Sequence, residues 1–161
     1  MPEIITPTVS VYPFRQTQRG PEYLALRRAN VDHLGGTWQA VHGGIDDGET
    51  AVQAAWREVR EETGLTPERF WGLDYVETHY LPPKDAIRLV PCFAVELSNA
   101  AEPTLGPEHD DHAWLGLTDL RERLIWRSQQ EAVQVADETI VQPLIDDRPI
   151  NPLLELDRPT D

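Results

Sequence analysis

The sequence predicts an α/β fold, in which a sheet is covered by helices on both of its faces. Runs rich in β-branched and aromatic residues occur before and after one helical segment that starts near Thr50. A second helical pattern comes late, from Gln129 to Ile140. A sheet with this arrangement of helices buries both faces by taking a helical layer on each. The length of 161 residues predicts a single domain, 1–161.

The first half of the chain contains three predicted strands. They run from Val9 to Phe14, from Tyr23 to Leu26 and from Trp38 to His42. The polar, glycine-containing stretches 16–21 and 30–37 predict the loops between them. The third strand leads directly into a pair of glycines, Gly43 and Gly44.

The central helix has recognisable signals at both ends. Thr50 can cap its first turn, and Gln53 completes a capping box. Gly64 supplies the left-handed conformation that ends a helix. Apolar residues at helical spacing predict a buried stripe made of Val52, Ala55, Trp56 and Val59. One face of this helix should therefore pack on the sheet.

Two longer strands are predicted after the helix, from Phe70 to Tyr80 and from Ile87 to Leu97. A polar loop, 98–109, precedes a short strand predicted from Ala113 to Leu117. Thr118 and Asp119 could cap a further helix. From about residue 146, prolines among charged residues predict an irregular tail.

Composition limits the kinds of partner that the chain can bind. The net charge is −14, which argues against a nucleic-acid polymer because such binding depends on Lys and Arg. No apolar run approaches the ~20 residues of a membrane span, and no signal peptide is visible. Cys92 is the single cysteine, so no disulfide within the chain is expected. We expect a cytoplasmic protein without membrane association.

Three carboxylates of the central helix predict a metal site. Glu58, Glu61 and Glu62 lie on one side of it, because residues three and four apart are neighbours on a helix. Like charges at i, i+4 oppose helix formation by roughly 0.2–0.5 kcal/mol. A hard divalent cation with oxygen ligands is the simplest positive partner for such a cluster.

The segment around these carboxylates reads GGIDDGETAVQAAWREVREETGL, from Gly43 to Leu65. Its spacing of Gly, Glu, Arg-Glu, Glu-Glu and Gly, with apolar residues at 59 and 65, resembles the signature of the Nudix hydrolases at every specified position. The resemblance implies an α/β/α sandwich with a mixed, curved central sheet. It also implies hydrolysis of a nucleoside diphosphate linked to another group.

The resemblance further implies a role for each residue of the signature. Mg²⁺ or Mn²⁺ would be bound by the carboxylates of Glu58, Glu61 and Glu62 and by the carbonyl oxygen of Gly43. Arg57 and Glu49 would form an ion pair that orients these ligands, and Gly64 would end the helix. The cation would neutralise phosphate oxygens and lower the pKa of a bound water.

A second segment, Pro107-Glu108-His109 followed by Trp114-Leu115, is similar to a late segment of several Nudix branches. There a loop glutamate reaches the metal site as a ligand or as a general base. We carry that role to Glu108, with Asp110 and Asp111 as nearby alternatives.

The sequence also suggests a class of substrate. Trp38-Gln39 and 128–132 are similar to the dihydroneopterin triphosphate pyrophosphatases of bacteria, which also act on deoxynucleoside triphosphates. Arg27 and Trp38 are candidate substrate-binding residues, with a surface salt bridge and a packing role as the alternatives. The predicted reaction converts a nucleoside or pterin triphosphate to a monophosphate and pyrophosphate. Dinucleoside polyphosphates, other nucleoside diphosphate derivatives, a non-catalytic ligand sensor and a homodimer remain open alternatives.

Overall fold

The computed structural model describes residues 1–30 and 32–160 of the chain, and its strands form one nine-stranded sheet. The strands are β1 (Glu3–Ile5), β2 (Thr8–Thr17), β3 (Gly20–Arg28), β4 (Trp38–Gln39), β5 (Val41–Gly44), β6 (Arg69–Leu81), β7 (Ala86–Glu96), β8 (His109–Leu115) and β9 (Glu155–Leu156). The helices are α1 (Ala51–Thr63), α2 (Leu117–Arg123), α3 (Arg127–Ala136) and α4 (Gln142–Ile145), with a π-helical turn at Asp137–Val141 between the last two. A single 3₁₀ turn, Pro82–Lys84, joins β6 to β7.

The sheet is mixed, as predicted. Its main order is β4-β3-β2-β7-β6-β9, with β1 beside β7, β5 beside β2 and β8 beside β3. The β2–β7 and β1–β7 pairs are parallel, and the other pairs are antiparallel. Together with helices on both faces, this confirms the predicted α/β architecture.

The central strand β2 changes its partner along its length. Its first half, Thr8 to Val11, pairs with β5, and its second half, Phe14 to Thr17, pairs with β3. We call the point between Val11 and Phe14 the fork. The strand predicted from Trp38 to His42 is therefore two strands, because β4 pairs with β3 whereas β5 pairs with β2.

Alternating side chains of β2 supply a core on each face of the sheet. Val9 and Val11 pack with the α1 residues Ala55 and Val59 in one apolar cluster. On the other face, side chains of β2, β3 and β6 pack against α2, α3 and the π turn; these include Tyr12, Phe14, Tyr23, Trp71, Leu120, Val133 and Ile140. The two clusters fix α1 and α3 on opposite faces of the sheet.

Helix α1 begins and ends as its sequence predicts. The Thr50 hydroxyl accepts from the Gln53 backbone amide, and Gln53 Oε1 accepts from the Thr50 backbone amide, which completes the capping box. Gly64 ends the helix at φ 69°. No helix in 1–30 or 32–160 is long and apolar enough to cross a membrane.

Four elements differ from the predictions, two because they were not predicted and two because they begin elsewhere. The N-terminal strand β1 was not predicted, and β8 begins at His109 inside the predicted loop. Helix α2 starts at Leu117 after Gly116, without a side-chain cap from Thr118. The predicted irregular tail contains β9, which pairs with Phe70 and Trp71. These elements depend on partners distant in sequence, which local patterns do not reveal.

Candidate functional site

The predicted metal-binding residues line one cleft of about 310 Å³. Helix α1 contributes Glu58, Glu61 and Glu62, the end of β5 contributes Gly43, and the loop before β8 contributes Glu108. His42 and His109 complete part of its wall. We call this space the carboxylate cleft. The helix and two segments distant in sequence thus bring all five predicted ligands together.

Gly43 is the point of closest approach between β5 and α1. A methyl group on its α-carbon would lie 1.9 Å from the Glu58 carboxyl carbon and 2.2 Å from each carboxylate oxygen. At the next residue, Gly44, the nearest neighbour of such a group would be the Pro7 carbonyl oxygen at 4.0 Å. The absence of a side chain at Gly43 therefore allows Glu58 to reach the strand.

Glu62 is the most perturbed carboxyl of the cleft. Glu62 is only 6% exposed, and burial is the main reason that the pKa of its carboxyl rises from 4.5 to about 9. The charges of Glu58 and Glu108 contribute to this rise, whereas a backbone hydrogen bond from His42 opposes it. Burial likewise raises the pKa of Glu58. Among the described residues, Glu62 Oε2 has no hydrogen-bond partner.

Arg57 holds the loop and helix together. Its Nε donates to Glu49 Oε1 at 2.9 Å and its Nη2 to Glu49 Oε2 at 2.7 Å, which is the predicted ion pair in two-point form. Nη2 also donates to the Gly44 carbonyl at 2.8 Å. Nη1 donates to Glu58 at 2.7 Å and to Glu61 at 3.1 Å. Arg57 thereby positions two of the three helix carboxylates.

The cleft has the chemistry that a hard divalent cation requires. It combines a buried carboxylate oxygen without a partner in the described chain, a carboxylate seated on Gly43, and further acidic oxygens from Glu61 and Glu108. Mg²⁺ prefers such oxygen ligands and retains open positions for water and substrate. In residues 1–30 and 32–160, no group of three or more acidic, His or Cys side chains is arranged to hold a metal ion as it stands. By donor type the cleft still fits a cation in an open site, and binding would draw its carboxylates together.

Arg27 and Trp38 line neither the carboxylate cleft nor the second cavity described below. Arg27 pairs with Asp110 at 2.7 Å, and its guanidinium carbon lies 5.9 Å from the centre of the Trp38 ring. Arg123 covers the same ring at 4.9 Å. These are ion-pair and packing contacts, so a role of either residue in substrate binding stays a prediction.

A second cavity of about 400 Å³ lies on the α3 side of the sheet, and His42 lines both spaces. We call it the α3 pocket. Its polar lining residues are Arg28, Gln39, His42, Glu77, His79, Arg88 and Gln129, and Trp126 is among its apolar ones. Burial lowers the pKa of His42 to about 4, and the charges of Arg88, His79 and Arg28 act in the same direction.

The sequence analysis missed the polar residues of the α3 pocket. One signal for them exists on β6, where Trp71, Leu73 and Tyr75 belong to the core on the α3 side. Extending this alternation by two and four residues leads to Glu77 and His79. Polar residues that continue a buried face indicate a cavity rather than a packed core.

A model of the NUDIX domain family matches residues 5–136 of the chain. The chain belongs to the Nudix family. Among curated relatives, a Myxococcus xanthus octanoyltransferase is 37% identical over 120 residues, which cover 73% of this chain and 33% of that protein. An RNA pyrophosphohydrolase from Histophilus somni is 50% identical over 54 residues, which cover 34% of this chain and 28% of its own. The Nudix chain thus spans about a third of the length of these curated relatives.

Solved structures share the fold at low sequence identity. A NUDIX hydrolase from Listeria monocytogenes matches with TM-score 0.73 and 24% identity, covering 94% of this chain and 99% of its own. The C. elegans Ap4A hydrolase complex matches with TM-score 0.69 and 23% identity, covering 83% and 96%. The E. coli dihydroneopterin triphosphate pyrophosphohydrolase matches with TM-score 0.66 and 22% identity, covering 86% and 98%. These matches confirm the Nudix fold.

Proposed function

We propose that this chain is a pyrophosphohydrolase that depends on Mg²⁺ or Mn²⁺ and cleaves a phosphoanhydride bond in a nucleoside or pterin triphosphate. The products would be the monophosphate and pyrophosphate. The observation that carries the proposal is the convergence of Glu58, Glu62 and Glu108 with Gly43 in one cleft. Membership of the Nudix family supports the reaction class.

Within this proposal, the cation would be held by the Gly43 carbonyl and by carboxylates of Glu58, Glu61 and Glu62, with Glu108 placed to act as a further ligand or as the base. When bound, it supplies charge neutralisation for the phosphate oxygens and acidifies an attacking water. On binding this cation, Glu58 and Glu61 would give up the hydrogen bonds that they accept from Arg57. Arg57 would then hold the loop through Glu49 and the Gly44 carbonyl.

The chain itself must position the substrate and accept one proton. Water attacks a phosphorus atom, the anhydride P–O bond breaks, and the departing phosphate oxygen keeps the bonding electron pair. We assign acceptance of the water proton to Glu108, which reaches the cleft from the loop before β8 and is separate from the helix. Glu62 and Glu58, both buried, would keep their negative charge next to the cation.

A panel of triphosphates assayed with Mg²⁺ tests the proposal. Wild type should release pyrophosphate, and Glu61→Gln and Glu62→Gln should each lower kcat by at least about 100-fold, since each variant loses a charged ligand. Glu108→Gln should also lower kcat, and the size of this decrease should be measured in the same assay as those of the two helix variants. Glu131→Gln, at a half-exposed residue of α3 outside the carboxylate cleft, is the matched control. Full turnover by both helix variants would contradict the assigned site.

A second candidate is cleavage of dinucleoside polyphosphates or of another nucleoside diphosphate derivative. It is favoured by the structural similarity to the C. elegans Ap4A hydrolase, at TM-score 0.69. Product analysis separates the two reactions. Pyrophosphate supports the triphosphate reaction, and two nucleotides from one substrate support the alternative.

Two further parts of the proposal rest on composition. The single cysteine supports a location in the cytoplasm, and the acidic charge supports a small phosphorylated substrate rather than a nucleic-acid polymer. A homodimer is retained as a proposal for the oligomeric state. Light scattering of the purified chain measures that state directly.

A further inference from the structure

The α3 pocket contains a buried carboxylate that the proposed hydrolysis does not use. Glu77 is 1% exposed and lines the pocket from β6. Its Oε1 accepts from the Tyr12 hydroxyl at 2.6 Å and from Cys92 Sγ at 3.4 Å. Its Oε2 lies 3.5 Å from His79 Nε2, at the limit of a hydrogen bond. One oxygen is therefore fully engaged by the core, and the other remains available as an acceptor.

A second polar group of the pocket lacks a partner. Gln129 on α3 is 4% exposed, and its Oε1 makes no hydrogen bond to any part of the chain that the structure describes. A buried amide oxygen without a partner is destabilising. A ligand that donates a hydrogen bond to it would remove that cost. Glu77 on β6 and Gln129 on α3 thus present two acceptors to one cavity.

The pocket carries positive charge as well as these acceptors. Arg28 and Arg88 line it, and the Nε atom of each is buried without a partner among residues 1–30 and 32–160. Both arginines line the pocket together with His42, which also lines the carboxylate cleft. Anionic groups are favoured at that boundary, and hydrogen-bond donors are favoured near Glu77 and Gln129.

We propose that the α3 pocket binds the heterocycle of the substrate and that Glu77 selects a ring with adjacent ring N–H and 2-amino donors, as in guanine or a pterin. Such an edge places two donors side by side, and the two acceptors that remain in the pocket can take one each: Glu77 Oε2 the 2-amino group and Gln129 Oε1 the ring N–H. Adenine, cytosine and uracil do not present this adjacent pair. This inference rests on the proposed hydrolysis of a triphosphate in the neighbouring cleft, and it names the specificity of that site.

The proposed orientation follows from the positions of the two cavities. The triphosphate lies in the carboxylate cleft, the sugar or side chain passes His42, and the ring enters the α3 pocket. Arg28 and Arg88 then lie on the phosphate side of the ring.

Two nucleotides that differ only in the 2-amino group provide the test. With wild type, kcat/KM for GTP should exceed that for ITP by about 10- to 100-fold, the range expected for a hydrogen bond to a charged acceptor. GMP should bind more tightly than IMP by a similar factor in calorimetry, a measurement that needs no turnover. Equal values for both pairs would overturn the assignment of Glu77.

A substitution separates the role of Glu77 from the rest of the site. Glu77→Gln keeps the shape and the acceptor for Tyr12 but removes the charge. The kcat/KM for GTP should therefore fall to the value for ITP, while the kcat/KM for ITP should change by less than about 3-fold. Glu131→Gln should preserve the preference of wild type for GTP. If Glu77→Gln does not fold, Gln129→Leu is the second variant, and it should weaken GMP binding by about 5- to 10-fold.

The outcomes distinguish this inference from the proposed function. If wild type hydrolyses GTP and ITP equally well, the inference fails and the hydrolase proposal stands. If wild type hydrolyses no triphosphate, the hydrolase proposal fails, and GMP against IMP binding still decides whether the pocket reads the 2-amino group. A GTP preference that survives in Glu77→Gln would transfer the selectivity to another residue and overturn the assignment.

Discussion

At the scale of single residues, Glu62 shows how burial and function oppose each other. Its carboxyl is almost fully buried, and Oε2 has no partner in the described chain. Ionising such a group without a counter-charge is costly, which is why its pKa rises to about 9. A cation would reverse this cost, because metal ligands must be ionised and binding releases their protons.

The pKa of Glu62 predicts a pH dependence of stability for the metal-free protein. Between the ordinary value of 4.5 and about 9, the folded state binds more protons than the unfolded state at this residue. Stability should therefore fall as pH rises through this window. Glu62→Gln removes that loss, so its Tm relative to wild type should increase by at least about 3 °C from pH 5 to pH 9.

Thermal melts in the presence of a chelator measure this effect, with Glu131→Gln as the surface control. Adding Mg²⁺ should raise the Tm of wild type more at pH 8 than at pH 6, and should raise the Tm of Glu62→Gln little at either pH. A Tm difference between variant and wild type that stays constant with pH would contradict the assigned burial of this charge.

At the scale of elements, the junction of β5 with α1 determines the geometry of the cleft. Thr50 and Gly64 fix the two ends of the helix, and Arg57 ties it to the preceding loop through Glu49 and the Gly44 carbonyl. Glu58 can reach β5 because Gly43 has no side chain. The helix, the loop and the strand therefore act as one unit, and a small change at their contact should move a ligand.

Gly43→Ala tests this contact. The new methyl group would overlap the Glu58 carboxylate, which is the mobile end of a side chain, so the fold should tolerate it while the carboxylate shifts. A displacement of about 1 Å can cost roughly 100-fold in rate. We expect kcat to fall by about that factor, with Tm within about 2 °C of wild type.

Gly44→Ala is the matched comparison, because the added methyl group would meet nothing closer than 4.0 Å. Its effect on kcat should be at least about 10-fold smaller than that of Gly43→Ala. Equal losses in the two variants would show that the close approach of Glu58 to β5 does not control the rate.

At the scale of the whole molecule, the C-terminal segment closes one edge of the sheet. β9 pairs with Phe70 and Trp71, and the Gly72 amide donates to the Leu154 carbonyl at 2.8 Å. Ile150 and Leu154 also pack against the core on the α3 side. Residues 150–156 therefore stabilise the fold although they line neither cavity.

Removing residues 151–161 should lower stability without changing the site directly. Loss of two partly buried leucines and the β9 pairing should cost about 2–3 kcal/mol, or about 5–10 °C in Tm. A shorter deletion, 159–161, should change Tm by less than about 2 °C. Both are measured by thermal melting, and an unchanged Tm after the longer deletion would contradict this account.

Local signals predicted the features that depend on a few neighbouring residues. The capping of α1 by Thr50, its end at Gly64 and its buried side at Ala55 and Val59 all follow from short patterns. The resemblance to a family then identified the cleft residues, which the structure brings together. The alternation on β6 indicates that Glu77 lies on the buried face, but its partners Tyr12 and Cys92 come from β2 and β7, and no local pattern encodes those contacts.

The fork in β2 has a consequence for the motions of the sheet. Four residues of β5, Val41 to Gly44, pair with β2 on the same edge as β3 but before the fork, so this short strand depends on few bonds for its protection from solvent. A ligand that extends from the carboxylate cleft past His42 to Glu77 would contact both β5 and β6 and so connect these two parts of the sheet. Deuterium uptake by the amides of β5 should then slow on binding, which makes this strand a built-in reporter of occupancy.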